Sequence, residues 1–233
     1  MKIALLGYGK MGKEIERIAL ERGHEIVLRK TEDNDFSGLE NADVAIDFSI
    51  PAAAVENIST CFNHNVPVIS GTTGWLENYG QMVELCKEKN GAFLYGSNFS
   101  VGVNLFFELN SYLARLMSRV NEYHVSMEEI HHTQKLDAPS GTAISLAEGI
   151  FKETDYKEWT MDEAAKHQIH IEAKRIADVP GTHSVYYRSS VDEIEIKHTA
   201  FSRQGFALGA VVAAEWIQNK KGIFSMKDVL SLG

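Results

Sequence analysis

A chain of 233 residues is long for one compact domain and short for two large ones, so two unequal domains, or one domain with an insertion, fit best. Hydrophobic residues make up 44% and charged residues 24%, an ordinary globular composition, and a net charge of -9 without any basic stripe argues against nucleic acid as a partner. The longest apolar runs fall well short of the ~20 residues of a membrane span, and Cys61 and Cys86 belong to no CxxC pair, so they read as buried free thiols of a cytoplasmic protein.

Lys2–Gly7 is a short apolar run closed by glycine, which reads as a buried strand. Lys10–Arg22 follows with apolar residues at Met11, Ile15, Ile18 and Ala19, a helical spacing. "HEIVLRK" and "ADVAIDFS" are the second and third strands, and "PAAAVENISTCFNHN" is a helix opened by proline. "VPVIS" is a strand, "WLENYGQMVELCKEKNG" a helix, and "AFLYGSN" a fifth strand. Strand and helix thus alternate through about the first hundred residues, the pattern of βαβ units on a parallel sheet. A long amphipathic helix, "GVNLFFELNSYLARLMSRV", ends the alternation. "EYHVSMEEI" is then a strand and "PSGTAISLAEGIFKE" a helix. Three strand-like runs follow in succession, "HQIHIEAKRIADV", "THSVYYRSS" and "DEIEIKHTAF", and predict a mostly antiparallel second sheet. "QGFALGAVVAAEWIQNKKG" closes the chain as a helix rich in small residues, ahead of "IFSMKDVL".

"GYGKMG" places Gly7, Gly9 and Gly12 as G-x-G-x-x-G between the first strand and the first helix, the context in which this pattern binds a dinucleotide. The helix N-terminus there offers free N–H groups to phosphates. The second strand ends in Arg29 and Lys30, with Glu32 and Asp33 just beyond. Basic residues at this tip suit a ribose 2′-phosphate, whereas an acid such as Glu32 would suit the 2′-hydroxyl, so NADPH or NADH is expected. "GTTG" (Gly71, Thr72, Thr73) and "GSNFS" (Gly96, Ser97, Asn98, Phe99) follow the fourth and fifth strands, where ligands of open α/β sheets bind.

"IHHTQKLDAPSGTA" (Ile130–Ala143) gathers most of the remaining chemistry. Adjacent His131 and His132 on a strand point to opposite faces, and Glu129 shares the His131 face with no third ligand at zinc spacing, so no metal is expected. His131 or His132 can donate a proton near neutral pH, and Lys135 supplies a nearby cation. The helix start with Ser140, Gly141 and Thr142 offers amides and hydroxyls to a carboxylate. Singly, each residue reads better as part of a capped helix after a polar loop, with Ser140 as N-cap. As a set beside a nicotinamide domain, they favour a site.

The segment resembles the signature of the dihydrodipicolinate reductases, now called 4-hydroxy-tetrahydrodipicolinate reductases. Every fixed position of E-x-H-H-x-x-K-x-D-x-P-S-G-T-A is filled from Glu129 to Ala143. The likeness extends to "GYGKMG", "ISGTTG", "NFSVGVN", "KRIADVPGTHSV" and "GIFSMKDVL", and so to essentially the whole chain. It implies an α/β fold: a Rossmann dinucleotide-binding domain (residues 1–102 plus 206–233) with an inserted α+β domain (103–205) that binds substrate and forms a homotetramer. It implies NADH- or NADPH-dependent reduction of a small cyclic dicarboxylate in diaminopimelate and lysine biosynthesis, with domain closure on binding. His131 matches the family's proton donor and Lys135 its second catalytic residue. His132, Lys135, Ser140, Gly141 and Thr142 match substrate contacts. Gly7, Tyr8, Gly9, Lys10, Met11, Gly12, Arg29, Lys30, Gly71–Thr73 and Gly96–Phe99 match cofactor contacts. Many members carry an acidic then a basic residue where this chain has Arg29 and Lys30, which argues against a strong NADH preference.

Overall fold

The computed structural model describes residues 1–202 and 204–232. Arg203 and Gly233, which the expected domain ranges include, lie outside the described residues. The chain divides into two compact units, Met1–Val101 with Gln204–Gly233, and Gly102–Arg203.

The first unit runs β1 (Lys2–Leu6), α1 (Lys10–Glu21), β2 (Glu25–Lys30), β3 (Val44–Asp47), α2 (Pro51–Asn63), β4 (Val68–Ser70), α3 (Tyr79–Glu88) and β5 (Ala92–Tyr95). It resumes with α6 (Gln204–Ile217), β11 (Gly222–Phe224) and α7 (Met226–Val229). Its six strands form one parallel sheet in the order β11-β5-β4-β3-β1-β2. Side chains alternate across a strand, and both faces here are buried. Ile3 and Leu5 pack on one side with Ile15 of α1 and Ala210 and Ala214 of α6. Ala4 and Leu6 pack on the other with Ile58 and Phe62 of α2 and Met82 of α3. Small residues on α6 let that helix approach closely. A methyl on Gly209 would lie 1.7 Å from the Phe99 carbonyl oxygen. Cys61 and Cys86 are free and buried.

The second unit holds α4 (Val101–Met117), β6 (His124–His131), α5 (Gly141–Glu153), β7 (Glu158–Thr160), β8 (Gln168–Arg175), β9 (Gly181–Arg188) and β10 (Glu193–Ala200). The sheet order is β10-β9-β6-β8-β7. Val125 and Met127 of β6, Ile169 and Ile171 of β8 and Val185 of β9 face Phe106 of α4 and Leu146 and Ile150 of α5. The buried Asn110 amide of α4 donates to the Leu146 carbonyl at 2.9 Å, joining the two helices.

Three expectations need correction. The second sheet is mixed: β6·β9 and β9·β10 are antiparallel, but β6·β8 and β7·β8 are parallel. The reason is α5, a crossover that returns the chain to the same side before β8. β7 escapes sequence reading because three residues carry no period. The helix expected from Trp75 is instead a 3-10 turn at Leu76–Asn78 ahead of α3, and Trp75 itself is buried with its Nε1–H donating to the Thr72 carbonyl at 2.7 Å.

Candidate active site

The strand order of the first sheet reverses between β1 and β3, and ligands of open α/β sheets bind at that point, beyond the carboxyl ends of the strands. A cavity of 610 Å³ lies there. Gly7, Tyr8 and Gly9 line it after β1, Phe48 and Ser49 after β3, and Lys30, Thr31, Glu32 and Asp33 after β2. Gly7 has φ +98°, and a Cβ on it would lie 2.2 Å from the Phe48 carbonyl oxygen. A Cβ on Gly12 would meet the Gly7 carbonyl at 2.3 Å, whereas one on Gly9 meets nothing within 4 Å. Two glycines are therefore required by the backbone, and the third leaves open space for a phosphate. Helix α1 starts without a side-chain cap, so its first N–H groups stay available to an anion. These features fit the pyrophosphate of a dinucleotide.

Beneath the crevice, the carboxylate of buried Asp47 accepts from Ser49 Oγ (2.7 Å), Asn57 Nδ2 (2.9 Å) and Ser70 Oγ (2.7 Å). Burial raises its pKa against the pull of these hydrogen bonds. The Thr72 hydroxyl accepts from the Ser49 amide at 2.9 Å, so the turns after β3 and β4 are wired together. Thr73 is exposed beside it. Gly71 lies against Phe48, where a Cβ would sit 2.3 Å from the ring. Gly96 donates to the Ser70 carbonyl at 3.1 Å, Asn98 Oδ1 accepts from the Ser100 amide at 2.9 Å, and Ser97 is exposed. Phe99 is a core residue packed against Phe48, the two rings tilted by 59° with centroids 5.5 Å apart.

Not every expected cofactor residue reaches the crevice. The Arg29 guanidinium is held by Glu16 of α1, which also accepts from the Tyr8 hydroxyl. Lys30 stays on the cavity wall, its ammonium donating to the Thr31 carbonyl at 2.6 Å and lying 5.2 Å from the Phe36 ring centre. Lys10 is exposed and Met11 half-buried in the first turn of α1.

In the second unit, β6 buries alternate residues, so Glu129 and His131 share the face that carries Val125 and Met127. The strand ends at His131, and His132 lies beyond it on the wall of a 330 Å³ cavity, with Thr133, Gln134 and the Ala177–Pro180 turn. Across the sheet, Glu129 pairs with His183 of β9, and His131 pairs with Arg175 of β8. The Glu129 carboxylate is fully buried. Its Oε1 accepts from Arg175 at 3.2 Å, and its Oε2 accepts from the Ser140 amide at 2.9 Å. His131 Nδ1 and His183 Nε2 approach the same Oε2 at 3.7 and 3.8 Å. His131 Nδ1 is buried with no hydrogen-bond partner among the described residues.

The Ser140 hydroxyl caps α5 by accepting from the Ala143 amide at 3.2 Å, and it meets His183 Nε2 at 3.1 Å. The Gly141 and Thr142 amides, the first of the helix, have no acceptor among the described residues. A Cβ on Gly141 would meet nothing within 4 Å. That is an open anion cradle at a helix N-terminus. Lys135 gives both of its short bonds, 2.7 Å each, to the Asp137 carboxylate. Arg175 braces this loop from below, donating to the Lys135 carbonyl at 3.3 Å and the Asp137 carbonyl at 2.6 Å.

Electrostatics sort these groups. Burial alone would raise the Glu129 carboxyl, but the His131 ring and the Ser140 hydroxyl and amide outweigh it and hold the pKa at about 2. Burial, then the charge of His131, pushes His183 down to about 3 against the attraction of Glu129. His183 and Arg175 are the members that spacing in the sequence does not reveal. With Glu129 and His131, His183 completes a three-donor group within 4.8 Å. Arg175 and the Ser140 amide already occupy both oxygens of its carboxylate.

Residues 1–99 match the family described as dihydrodipicolinate reductase, N-terminus, and residues 102–230 match dihydrodipicolinate reductase, C-terminus. A 4-hydroxy-tetrahydrodipicolinate reductase of Christiangramia forsetii is 58% identical over 235 residues, spanning 99% of this chain and 98% of that one. A dipicolinate-bound dihydrodipicolinate reductase structure from Paenisporosarcina sp. TG-14 is similar with TM-score 0.79 and 22% identity, covering 97% of each chain. A probable dehydrogenase from Thermotoga maritima reaches TM-score 0.58 at 11% identity, over 98% of this chain and 92% of that one. The two structural likenesses speak to the fold, and the sequence matches speak to descent. The chain belongs to the dihydrodipicolinate reductase family.

Proposed function

We propose that this chain reduces 4-hydroxy-tetrahydrodipicolinate to tetrahydrodipicolinate with a reduced pyridine nucleotide, in diaminopimelate and lysine biosynthesis, and that His131 is its proton donor. The observation that carries the assignment of roles is the joining of a buried imidazole and an anion-ready helix N-terminus through one ionised carboxylate, Glu129. A proton donor and a carboxylate cradle are thereby fixed relative to each other.

In this reading the Gly141 and Thr142 amides and the Thr142 hydroxyl take one substrate carboxylate, with Ser140 bounding the cradle. His132 and Lys135 hold the other, Lys135 exchanging Asp137 for the substrate. The bound reduced nicotinamide supplies the hydride. As the conjugated ring carbon of the dehydrated substrate accepts it, protonated His131 gives up the matching proton, and Lys135 offsets the developing negative charge. The Gly7–Gly12 turn and α1 hold the pyrophosphate. The loops Gly71–Thr73 and Gly96–Phe99 bound the rest of the cofactor. Lys30 is the group placed for a 2′-phosphate and Glu32 for a 2′-hydroxyl, so both NADPH and NADH serve, with NADPH favoured. Residues 1–102 and 206–233 form the cofactor domain, and 103–205 the substrate domain of a homotetramer, which sedimentation velocity tests. The free thiols suit a reducing compartment, and the reading places the enzyme in the cytoplasm. No described helix is long and apolar enough to cross a membrane.

The direct test mixes the enzyme with freshly formed synthase product and follows nicotinamide oxidation with NADH and NADPH in parallel. Oxidation with neither cofactor would sink the reading. His131→Ala is expected to lower kcat by roughly 10²–10⁴-fold with little change in KM. An undiminished kcat removes His131 from the chemistry.

A further inference from the structure

We infer that Arg175 is the positioning residue for the substrate's second carboxylate: its guanidinium ties the loop that carries Lys135 to the same buried Glu129 that fixes the α5 cradle, and so sets the span between the two anion sites. The inference rests on the reading of a dicarboxylate held between the Gly141–Thr142 amides and Lys135. It adds a residue that touches no substrate and acts through one that does.

Geometry carries the argument. Every guanidinium nitrogen of Arg175 is engaged. Nε donates to the Lys135 carbonyl at 3.3 Å and Nη2 to the Asp137 carbonyl at 2.6 Å. Nη1 donates to Glu129 Oε1 at 3.2 Å and to the Lys174 carbonyl at 2.9 Å. Both bidentate edges of the planar fork are therefore taken by the protein, and neither is left for a substrate carboxylate. The backbone beneath is held as well: Arg175 pairs with His131 across β6·β8, and the Ile176 amide donates to the His131 carbonyl at 2.8 Å.

The loop has little else to hold it. Its large apolar residue, Leu136, is 97% exposed, so burial does not anchor it. Its other hydrogen bonds among the described residues are local: the Lys135 amide donates to the His132 carbonyl at 3.1 Å, and the Lys135 ammonium to the Asp137 carboxylate. Among the described residues, the bonds from Arg175 are the ones that reach from residues 133–137 into the sheet. On the far side of the guanidinium, Glu129 is fully buried, and its Oε2 accepts from the amide of Ser140, the N-cap of α5. Lys135 and the cradle are thus joined through Arg175 and Glu129 rather than through the exposed chain between them. For a rigid ring with two carboxylates, the distance between the anion sites decides whether both are met at once, and a misplacement of ~1 Å costs roughly 100-fold. Lysine cannot take this part, because an ammonium is a point donor and does not hold loop carbonyls and a carboxylate in one plane.

The test sets two flat acids against the full-length enzyme: pyridine-2,6-dicarboxylate, which can meet both anion sites, and pyridine-2-carboxylate, whose one carboxylate the cradle takes. Inhibition constants are measured for the parent, Arg175→Lys, Lys135→Ala and the double variant. A charge-assisted hydrogen bond from Lys135 to the second carboxylate makes the parent favour the dicarboxylate by roughly 10–100-fold. Arg175→Lys is expected to cut that preference to about threefold or less, while the constant for the monocarboxylate moves by less than about twofold. In the Lys135→Ala background the same change is expected to weaken the dicarboxylate by less than about a further twofold, because Arg175 acts through Lys135. A merely structural role would weaken both acids together, and a direct contact would add its own loss in the double variant; either result overturns the inference. So does an Arg175→Lys variant that keeps the parent's preference, and in that case the dicarboxylate reading stands. A parent that does not discriminate between the acids overturns that reading and takes the inference with it. Should Arg175→Lys fail to fold, a crystal structure of the unmodified enzyme with pyridine-2,6-dicarboxylate decides. Arg175 is expected to keep its bonds to the Lys135 and Asp137 carbonyls with Lys135 on the second carboxylate, and a guanidinium turned onto the ligand overturns the inference.

Discussion

The crevice after β1 and the cluster at the end of β6 both offer a helix N-terminus to an anion, yet they are built from opposite materials. The crevice is shaped by backbone: Gly7 must be left-handed, Gly12 must let the Gly7 carbonyl pass, and Arg29 is already spent on Glu16. The cluster is shaped by charge: Glu129, Arg175, His131 and His183 hold one another in register, and the N-cap of α5, Ser140, hangs on Glu129. A site made of steric limits fails abruptly when a methyl is added. A site made of buried charges fails by degrees, along the pH axis.

The largest expected effect tests the steric side. Gly7→Ala forces a Cβ onto a residue at φ +98° and to within 2.2 Å of the Phe48 carbonyl oxygen. The backbone strain alone is about 1–2 kcal/mol, and the clash must move either the β1 turn or the β3 turn. NADPH affinity, read by the fluorescence of the bound nicotinamide, is expected to fall roughly 100-fold or more. The buried charges of the second unit should be untouched, so the acid-sensitivity described next should be unaltered in this variant. Parent-like affinity would mean that the turn is more pliable than its geometry implies.

The second effect tests the charged side through stability. The folded pKa of His183 is about 3 against an ordinary 6.5, so the unfolded chain binds a proton that the folded site refuses. Its contribution is complete above pH 6.5 and is lost as pH falls toward 3. Glu129, about 2 against 4.5, is depressed too, and its contribution is lost between pH 4.5 and 2. The denaturation midpoint in urea should therefore decline steadily below pH 6.5, and His183→Gln should flatten the upper part of that decline while leaving the part below pH 4.5. An unchanged slope between pH 6.5 and 4.5 would show that His183 is not buried neutral.

The same contrast explains what could be read from the sequence. The crevice is local: "GYGKMG" follows its strand within two residues, and the alternation of strand and helix announces the parallel sheet. The cluster is local only in part. Glu129, His131 and the Ser140–Thr142 cradle lie in one stretch, and alternation along β6 puts Glu129 and His131 on one face. Arg175 stands 46 positions from Glu129, and His183 stands 43 from Ser140. They arrive through register between strands that are not neighbours in the chain, which periodicity within a strand does not encode. The parallel β6·β8 pairing that delivers Arg175 is also the part of the second sheet that the run of strands did not foretell. Phe48 and Asp47 escaped for the opposite reason. They read as the end of a buried strand, and only the folded switch point puts Phe48 on the wall of a cavity and ties buried Asp47 to the lining residues Ser49 and Asn57.

The smallest effect falls where charge intrudes on the steric site. Arg29 and Lys30 are equivalent as a basic pair in the sequence, but the fold separates them. Glu16 occupies the Arg29 guanidinium, and Lys30 faces the crevice with Thr31, Glu32 and Asp33. A lysine that meets a phosphate acts as a flexible point charge near the surface, an interaction of about 1 kcal/mol. Lys30→Ala is therefore expected to weaken NADPH binding by about fivefold and NADH binding by less than about twofold. Arg29→Ala should change the NADPH/NADH ratio less than Lys30→Ala does, and should lower thermal stability instead through the loss of its bonds to Glu16. Dissociation constants for both nicotinamides, measured on the two variants side by side, decide the matter. If Arg29→Ala shifts the ratio more, then Arg29 exchanges Glu16 for the 2′-phosphate when the cofactor binds, and this crevice too is governed by charge.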